Sequence, residues 1–252
     1  MKYEIMVHLR IGRLLPGYRE VGFGSCSPVR GISLFAEGEC AVIAKKIPDR
    51  EIAVEVICSC IGREFGLPIP EPVLLLNSDN NWFFGSVDIG HPNLMQVATA
   101  SDAAIIGKLE KWPPLIQAAC FDEWIANPDR GNENLLFDGS GFFLIDHGMA
   151  IPSGMPADDW SDDYYNNQLL EIVTGSCERA DDLRLKKAKE AQGWSSTIEK
   201  FDTAYDFSAL PSVIDDSLKL KISKFLRERV IKLGDELYRK LNPHQGALNF
   251  HD

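Results

Sequence analysis

Three oxygen-bearing side chains lie close together along one part of the chain. Asp129 and Asn134 stand five residues apart in a polar loop, and Asp146 lies two residues before Gly148. Between the loop and Asp146, two apolar runs flank the turn 138–141, a pattern that predicts a hairpin of two paired strands. The hairpin should carry Asp146 back toward the loop, so we expect the three side chains to converge at its open end.

A site of this composition suits phosphoryl transfer. One carboxylate can accept the proton of an acceptor hydroxyl or orient that hydroxyl, whereas an amide and a second carboxylate can hold Mg²⁺ on the phosphates. Mg²⁺ is a hard cation that prefers oxygen ligands. We therefore expect Asp129 to be the base or orienting group, and Asn134 and Asp146 to bind the metal. The opposing interpretation is a structural loop in which Asp and Asn only cap turns.

These segments resemble those of known kinases. The stretch 127–134, Asn-Pro-Asp-Arg-Gly-Asn-Glu-Asn, and the stretch 144–152, Leu-Ile-Asp-His-Gly-Met-Ala-Ile-Pro, resemble the catalytic and metal-binding segments of HipA-like kinases and type II phosphatidylinositol 4-kinases. Asn127-Pro128 stands where an ordinary protein kinase has His-Arg, which favours an atypical kinase. The resemblance implies ATP and Mg²⁺ as cofactors. Arg130 is expected either to steady the charge of Asp129 or to contact a phosphate.

A stretch rich in small residues near the start of the chain is a candidate phosphate loop. Residues 21–31 contain two small-residue turns between apolar strands, and such turns let backbone N–H groups approach a phosphate closely. By resemblance, the loop that covers the nucleotide phosphates comprises Gly22, Gly24, Ser25 and Ser27. Taken alone, this composition is more typical of a hairpin turn.

A lysine is expected to contact the nucleotide phosphates, and a glutamate is expected to orient that lysine. Lys45 and Lys46 end an apolar strand, and because strand side chains alternate, only one of them can face a cleft. By resemblance, that lysine pairs with a glutamate on the following helix, predicted over 49–65, where Glu55 fits best and Glu51 is the alternative. The opposing interpretation places both lysines and both carboxylates on the solvent side.

The nucleotide base should meet the chain where two parts of the fold join. Apolar runs at 73–76 and 82–84 predict two strands, and residues 85–88 follow them as a hinge. By resemblance, backbone groups of Ser86, Val87 and Asp88 are the candidates for binding adenine.

We therefore predict an α+β, two-lobe, protein-kinase-like fold. Residues 1–86 form an N-terminal lobe with a small antiparallel sheet and one helix, and residues 87–252 form a mainly helical lobe with the catalytic loop and hairpin. After Pro152, the acidic stretch 157–165 carries no family signature. It is either a solvated loop or an element that selects a basic or uncharged acceptor.

Composition limits the partners. The net charge of -11 argues against direct nucleic-acid binding and against docking on anionic lipid by a broad basic face. No apolar run has the length of a membrane span, and the first residues do not form a signal peptide, so we expect no membrane insertion and a cytoplasmic, soluble protein. The six cysteines lack zinc-site spacing, and we expect reduced, mostly buried thiols.

By resemblance, the activity is transfer of phosphate from ATP to Ser or Thr of a protein acceptor. Two alternatives stay open: a kinase acting on a small molecule or an inositol lipid, and a catalytically silent nucleotide-binding regulatory module. HipA-like toxins pair with a DNA-binding antitoxin, so an antitoxin-like or regulatory protein partner is also expected from the resemblance.

Overall fold

A computed structural model describes residues 9–22, 26–97, 102–176, 181–200, 207 and 210–242. The first part of the chain forms six strands and one helix. In chain order they are β1 (Arg10–Leu14), β2 (Arg19–Glu20), β3 (Val29–Phe35), β4 (Gly38–Lys45), α1 (Asp49–Glu64), β5 (Pro72–Leu76) and β6 (Trp82–Val87). The rest is mainly helical, so the mixed α+β class is confirmed.

The strands close into a barrel. The order β1-β5-β6-β4-β3 returns to β1 through the pairs Arg13↔Leu34 and Leu14↔Ser33, and β2 extends the edge of β3. The seam between β1 and β3 needs a glycine, because a Cβ on Gly12 would lie 2.6 Å from the Phe35 ring and 2.9 Å from the Leu34 carbonyl oxygen.

The prediction of an antiparallel sheet is wrong for one pair of strands. β1 runs parallel to β5, with Arg10 opposite Val73 and Arg13 opposite Leu76. The reason is helix α1, which carries the chain from the end of β4 back across the barrel, so that β4 and β5 point the same way. Since β4 and β1 are both antiparallel to β3, β1 and β5 are parallel as well.

Helix α1 is buried between the barrel and the helices that follow. All residues from Ile52 to Gly62 are buried, and the apolar ones belong to one core with residues of the later helices, among them Phe121 and Trp124. The interior of the barrel holds a smaller apolar cluster, comprising Leu14, Val29, Phe35, Val42, Ala44, Val73, Leu75 and Phe83.

Six α-helices and one hairpin follow in the described part of the chain. They are α2 (Leu94–Val97), α3 (Asp102–Leu109), α4 (Leu115–Trp124), β7 (Leu135–Phe137), β8 (Phe142–Leu144), α5 (Gln168–Gly175), α6 (Asp181–Lys200) and α7 (Asp216–Leu241). The side chain of Asp215 caps α7 by accepting hydrogen bonds from the N–H groups of Ser217 and Leu218. The indole N–H of Trp124 donates to the Leu226 carbonyl at 3.0 Å and so joins α4 to α7.

The predicted hairpin forms before Asp146. Leu135 pairs with Leu144, and the Asp138 carboxylate fixes the turn by accepting from the N–H groups of Ser140 and Gly141, both at 2.7 Å. These hydrogen bonds, that from Gly141 first, lower the pKa of Asp138 to about 2. A short 3₁₀ turn, Asn132–Asn134, leads directly into β7.

Three cysteines of the described chain, Cys58, Cys60 and Cys120, are buried, and burial raises the pKa of the Cys60 thiol to about 12. Among the helices that the structure describes, none combines the length and the apolar character needed to span a bilayer.

Candidate active site

One lysine is shared by two carboxylates at the end of β4. The Lys45 ammonium lies 2.6 Å from Asp146 Oδ1 and forms an ion pair with Glu55 Oε1. Glu55 is fully buried on α1, so the interpretation as a solvent-facing carboxylate is wrong, and Glu55 rather than Glu51 contacts the lysine. Three elements far apart in sequence, β4, α1 and the end of the hairpin, therefore meet at one ammonium group.

Electrostatics couple these three groups. Burial opposes ionisation of Lys45, but the charges of Glu55 and Asp146 prevail and raise its pKa. Burial acts most strongly on Glu55 and opposes its ionisation, but the attraction of Lys45 and the contacts with His147 together prevail and lower its pKa. Burial and the nearby Glu55 charge raise the pKa of Asp146. One cation facing two carboxylates leaves a surplus of negative charge on the open side of the cluster.

The catalytic-loop candidates contact one another. The Asn134 amide nitrogen donates to the Asp129 backbone oxygen at 2.6 Å and to Asp129 Oδ2 at 3.2 Å, and Asn127 Oδ1 accepts from the Asp129 N–H at 3.1 Å. The loop meets the hairpin because the Ile145 N–H donates to the Asn134 carbonyl at 3.1 Å. Asp146 is therefore the residue directly after the hydrogen bond that joins the catalytic loop to the end of the hairpin.

Asp146 adopts an uncommon backbone conformation. Its φ is +61°, in the left-handed region that β-carbon-bearing residues rarely occupy. The next residue helps to hold it there, since the His147 N–H donates to Glu55 Oε2 at 2.8 Å. Gly148 permits the close approach of α1, because a Cβ there would lie 3.3 Å from Glu55 Cγ. Strain of this kind is concentrated at functional sites in proteins.

Arg130 does not occupy the position predicted for a catalytic residue. Its side chain is buried, pairs with both carboxylate oxygens of Asp122 at 2.9 and 3.0 Å, and donates to the carbonyls of Asn134 and Ile145. With its donors engaged inside the protein, it holds the loop against the hairpin and does not reach a phosphate. The prediction of phosphate contact by Arg130 is therefore wrong.

Lys46 also lies outside the cluster. It is exposed and donates to Asn81 Oδ1 at 3.0 Å, because alternation along the strand turns it away from Lys45. Of the two lysines, the structure brings only Lys45 to the carboxylates.

The predicted phosphate loop connects β2 to β3. Gly24 and Ser25 lie outside the described residues, whereas Gly22 and Ser27 both have positive φ, +79° and +44°. The Val21 N–H donates to the Pro28 carbonyl at 2.8 Å, which closes the loop at its base. Since Val29 pairs with Ala44, the loop leaves the barrel at the same end as Lys45.

A small cleft opens beside the cluster. Its lining includes Ile69, Phe84, Ser86, Leu144 and Ile145, together with Glu55 and Asp146. Its volume is about 20 Å³, which is room for about one water molecule.

Two of the three predicted hinge residues do not have free backbone donors. The Val87 N–H donates to the Glu71 carbonyl and the Asp88 N–H to the Ala41 carbonyl, both at 2.9 Å. The Asp88 carboxylate is bound to Arg30 and to the Gly90 N–H. The reason is that pairing of the barrel strands continues past Gly85, so only Ser86 of the predicted three lines the cleft.

The side chains at this site suit a metal ion that also binds the nucleotide phosphates better than a metal ion held by protein ligands alone. Within the described residues, no group of three His, Cys, Asp or Glu side chains is arranged to hold a metal. Asn134 uses its amide nitrogen on Asp129, which leaves the amide oxygen as a ligand, and Asp146 offers a carboxylate in a region of surplus negative charge. Mg²⁺ commonly takes one or two protein ligands and completes its shell with phosphate and water.

Sequence reasoning missed two arginines that fix the segment after the hairpin. Arg50, at the start of α1, donates to the carbonyls of Ala150 and Ile151. Arg229, on α7, donates to the carbonyls of Ala157 and Asp159 at 3.2 and 2.6 Å. With Arg130 at Ile145, three arginines from three elements hold the main chain of residues 145–159. No sequence signal marks them, because each acts far from its position in the chain.

Comparisons with known proteins bear on the fold and on the family. The crystal structure of a Helicobacter pylori proinflammatory kinase, CtkA, is similar, with a TM-score of 0.52 and 10% sequence identity, covering 91% of this chain and 94% of that chain. This similarity shows a kinase-like fold. No curated protein matches the chain. The model of the HipA-like kinase family matches residues 37–201, which is more than half of the chain. The protein therefore belongs to the HipA-like kinase family.

Proposed function

We propose that this protein transfers the γ-phosphoryl group of ATP, in the presence of Mg²⁺, to a Ser or Thr hydroxyl of a protein. The observation that carries the proposal is the Lys45 ammonium shared by Glu55 and Asp146 at the mouth of the cleft. Membership of the HipA-like kinase family supports it. In this proposal residues 1–86 and 87–252 act as two lobes that enclose the nucleotide.

Each residue of the cluster has a distinct role. Lys45 binds the nucleotide phosphates, and Glu55 holds its ammonium group in place. Asn134 and Asp146 hold Mg²⁺, which when bound neutralises charge on the phosphates. Asp129, oriented by Asn127 and Asn134, positions the acceptor hydroxyl and takes its proton. Gly22 and Ser27 belong to the loop over the phosphates, and Ser86 borders the base.

The proposal includes the partners that the family resemblance implies. These are a nucleotide, a protein acceptor, and a regulatory protein partner comparable to an antitoxin. The buried Glu55, which pairs with Lys45 and contacts His147, favours an intact site over a catalytically silent module.

The test is phosphate transfer from γ-labelled ATP with Mg²⁺. The wild type is compared with Asp129→Ala and Asp146→Asn, scoring autophosphorylation, ATP hydrolysis and labelling of proteins in a lysate. Each variant should lose turnover by at least about 100-fold, as removal of a group that stabilises the transition state does. Asp79→Asn, an exposed acid in the β5–β6 turn, is the matched control and should keep full activity.

Two results would contradict the proposal. ATP binding without turnover in the wild type would indicate the regulatory module. Failure of the wild type to bind ATP at all would remove the kinase assignment.

A further inference from the structure

The turn formed by residues 146–151 has a strained backbone at both of its ends. Asp146 has a φ of +61° and Ile151 a φ of +53°, and the Ala150 N–H closes the turn by donating to the His147 carbonyl at 2.9 Å. The left-handed region is a genuine outlier for a β-branched residue such as Ile151, because Cβ then crowds the following carbonyl oxygen. A backbone of this kind keeps its shape only where contacts from outside enforce it.

Two groups from other parts of the chain hold the far end of this turn. The Ile151 N–H donates to the Ile125 carbonyl at 2.8 Å, and Arg50 donates to the carbonyls of Ala150, at 3.4 Å, and Ile151. Among the described residues, Arg50 supplies the hydrogen bonds that these two carbonyls accept. Ala150 and Ile151 are both buried, so loss of the guanidinium would leave two carbonyls without a donor inside the protein.

Arg50 stands where its own helix does not favour a cation. It lies in the first turn of α1, and the N-terminus of a helix carries a partial positive charge that favours acids such as Asp49 and Glu51. Within the described part of the chain, Arg50 forms no ion pair that would offset this repulsion. The contacts that stabilise Arg50 at this position are therefore those with the two carbonyls of the turn.

Helix α1 contacts the turn along its whole length. Glu55 accepts the hydrogen bond at the end next to Asp146, and Arg50 binds the carbonyls at the other end. The middle of the turn lies against the helix as well, since a Cβ on Gly148 would lie 3.6 Å from Glu51 Cβ. Because a helix is a rigid element, these contacts fix the turn relative to the residue that pairs with Lys45.

We propose that Arg50 is a positioning residue for Asp146. By holding the far end of the strained turn, Arg50 keeps the Asp146 carboxylate beside Lys45, where its Oδ1 lies 2.6 Å from the ammonium. The inference rests on the proposed function, since Asp146 is the Mg²⁺ ligand of that reaction. Loss of a group that supports a metal ligand commonly lowers metal affinity or activity by about 10- to 100-fold.

The first experiment measures hydrogen exchange of the protein without nucleotide. Mass spectrometry compares the wild type with Arg50→Met in peptides that cover residues 146–151. Without its two hydrogen bonds the strained turn opens locally, so its amides should exchange at least about tenfold faster in the variant. Peptides from the barrel and from α7 should exchange as in the wild type, because the global stability is not what changes.

The matched control is Arg63→Met. Arg63 lies at the other end of the same helix and also donates to a backbone carbonyl, that of Ile69, at 2.6 Å. This control should leave exchange of residues 146–151 unchanged. Equal acceleration in both variants would show a general loosening of α1 and would overturn the inference. Faster exchange throughout Arg50→Met would show that Arg50 only stabilises the fold, and this would overturn it as well.

The second experiment measures the Mg²⁺ requirement. In Arg50→Met the Mg²⁺ concentration for half-maximal turnover should rise at least about tenfold, whereas kcat at saturating Mg²⁺ should fall by less than about threefold. Arg50→Lys keeps a cation with N–H donors and should recover part of the loss. ATP affinity in EDTA should equal that of the wild type, because no metal is bound there. An equal loss of ATP affinity with Mg²⁺ and with EDTA would overturn the inference.

The two experiments separate this inference from the proposed function. Absence of all turnover in the wild type would refute the kinase, and hydrogen exchange would still decide whether Arg50 holds the turn. Turnover in the wild type, together with an unchanged Mg²⁺ requirement and unchanged exchange in Arg50→Met, would refute the role of Arg50 and leave the kinase standing.

Discussion

Lys45 and Lys46 show that the surroundings of a residue decide which contacts it makes. The two lysines are adjacent, but Lys45 joins two carboxylates near the cleft and Lys46 donates to an asparagine at the surface. From the sequence alone, either lysine could face the cleft. Alternation along a strand shows that the two side chains point to opposite sides, but it does not show which side borders the cleft. Only the position of α1 and of Asp146 decides between them.

At this scale we predict a pH-dependent loss of stability for Lys45→Met. Lys45 lowers the pKa of Glu55 in the wild type, so the pair stabilises the fold above the ordinary pKa of Glu and loses this contribution as pH falls. Without the lysine, the contacts with His147 remain but burial prevails over them and raises the pKa of Glu55, so the variant becomes less stable as pH rises. The loss should be about 3–5 kcal/mol at pH 8 and smaller by at least about 1 kcal/mol at pH 5.

The measurement is urea unfolding at both pH values, with Lys46→Met as the matched control. The control should change the free energy of unfolding by less than about 0.5 kcal/mol, as an exposed substitution usually does. Equal losses for Lys45→Met at pH 5 and pH 8 would show that Glu55 does not carry the effect.

At the scale of elements, the local parts of the site were accessible from sequence and the distant parts were not. The loop with Asp129 and Asn134, the hairpin and Asp146 lie within eighteen residues, so turn residues and apolar runs suffice to place them. The parallel pair β1–β5 and the arginine contacts depend on how separate elements meet. Polarity patterns carry no information on the direction of a neighbouring strand or on the partner of a distant side chain.

Arg130 gives the prediction that belongs to this scale. Arg130→Met leaves Asp122 buried without its cation, so the variant should lose about 3–5 kcal/mol of stability. Arg130→Met/Asp122→Asn removes the orphaned charge and should recover about 1–2 kcal/mol. Both variants should have lower kcat, because the loop and hairpin are no longer joined at Ile145.

Chemical unfolding and ATP turnover measure these effects, and Arg239→Met, which breaks an exposed pair on α7, serves as control. That control should stay within about 0.5 kcal/mol of the wild type. A loss of stability in Arg130→Met no larger than in the control would show that the buried pair does not hold the site together.

For the whole molecule, the apolar core does not follow the boundary proposed between the lobes. Ile57 and Ile61 of α1 share one core with Phe121 and Trp124 of α4, whereas the separate cluster inside the barrel is small. The division into lobes at residue 86 remains a proposal, which concerns the two sides of the cleft and not separate cores. The sequence suggested two lobes because strand patterns precede helix patterns, but it gave no sign that the first helix belongs to the core of the second half.

We therefore predict that the protein unfolds as one unit. Calorimetry should show a single transition with equal calorimetric and van't Hoff enthalpies. The fragment 87–252 should fail to fold by itself, because removal of α1 exposes the apolar faces of α4 and α7. Two resolved transitions, or a sharp transition of the fragment alone, would contradict this prediction.

The arginine contacts along residues 145–159 bear on how such a protein is switched on and off. Many protein kinases leave the corresponding segment loose until an added phosphate draws arginines to it. In this chain three arginines are already engaged with backbone carbonyls of that segment, so no added phosphate is needed to draw them to it. We expect phosphatase treatment to leave its activity unchanged. The protein would then be active as soon as it is synthesised, and its restraint must come from outside: from the amount made, or from another molecule that obstructs it.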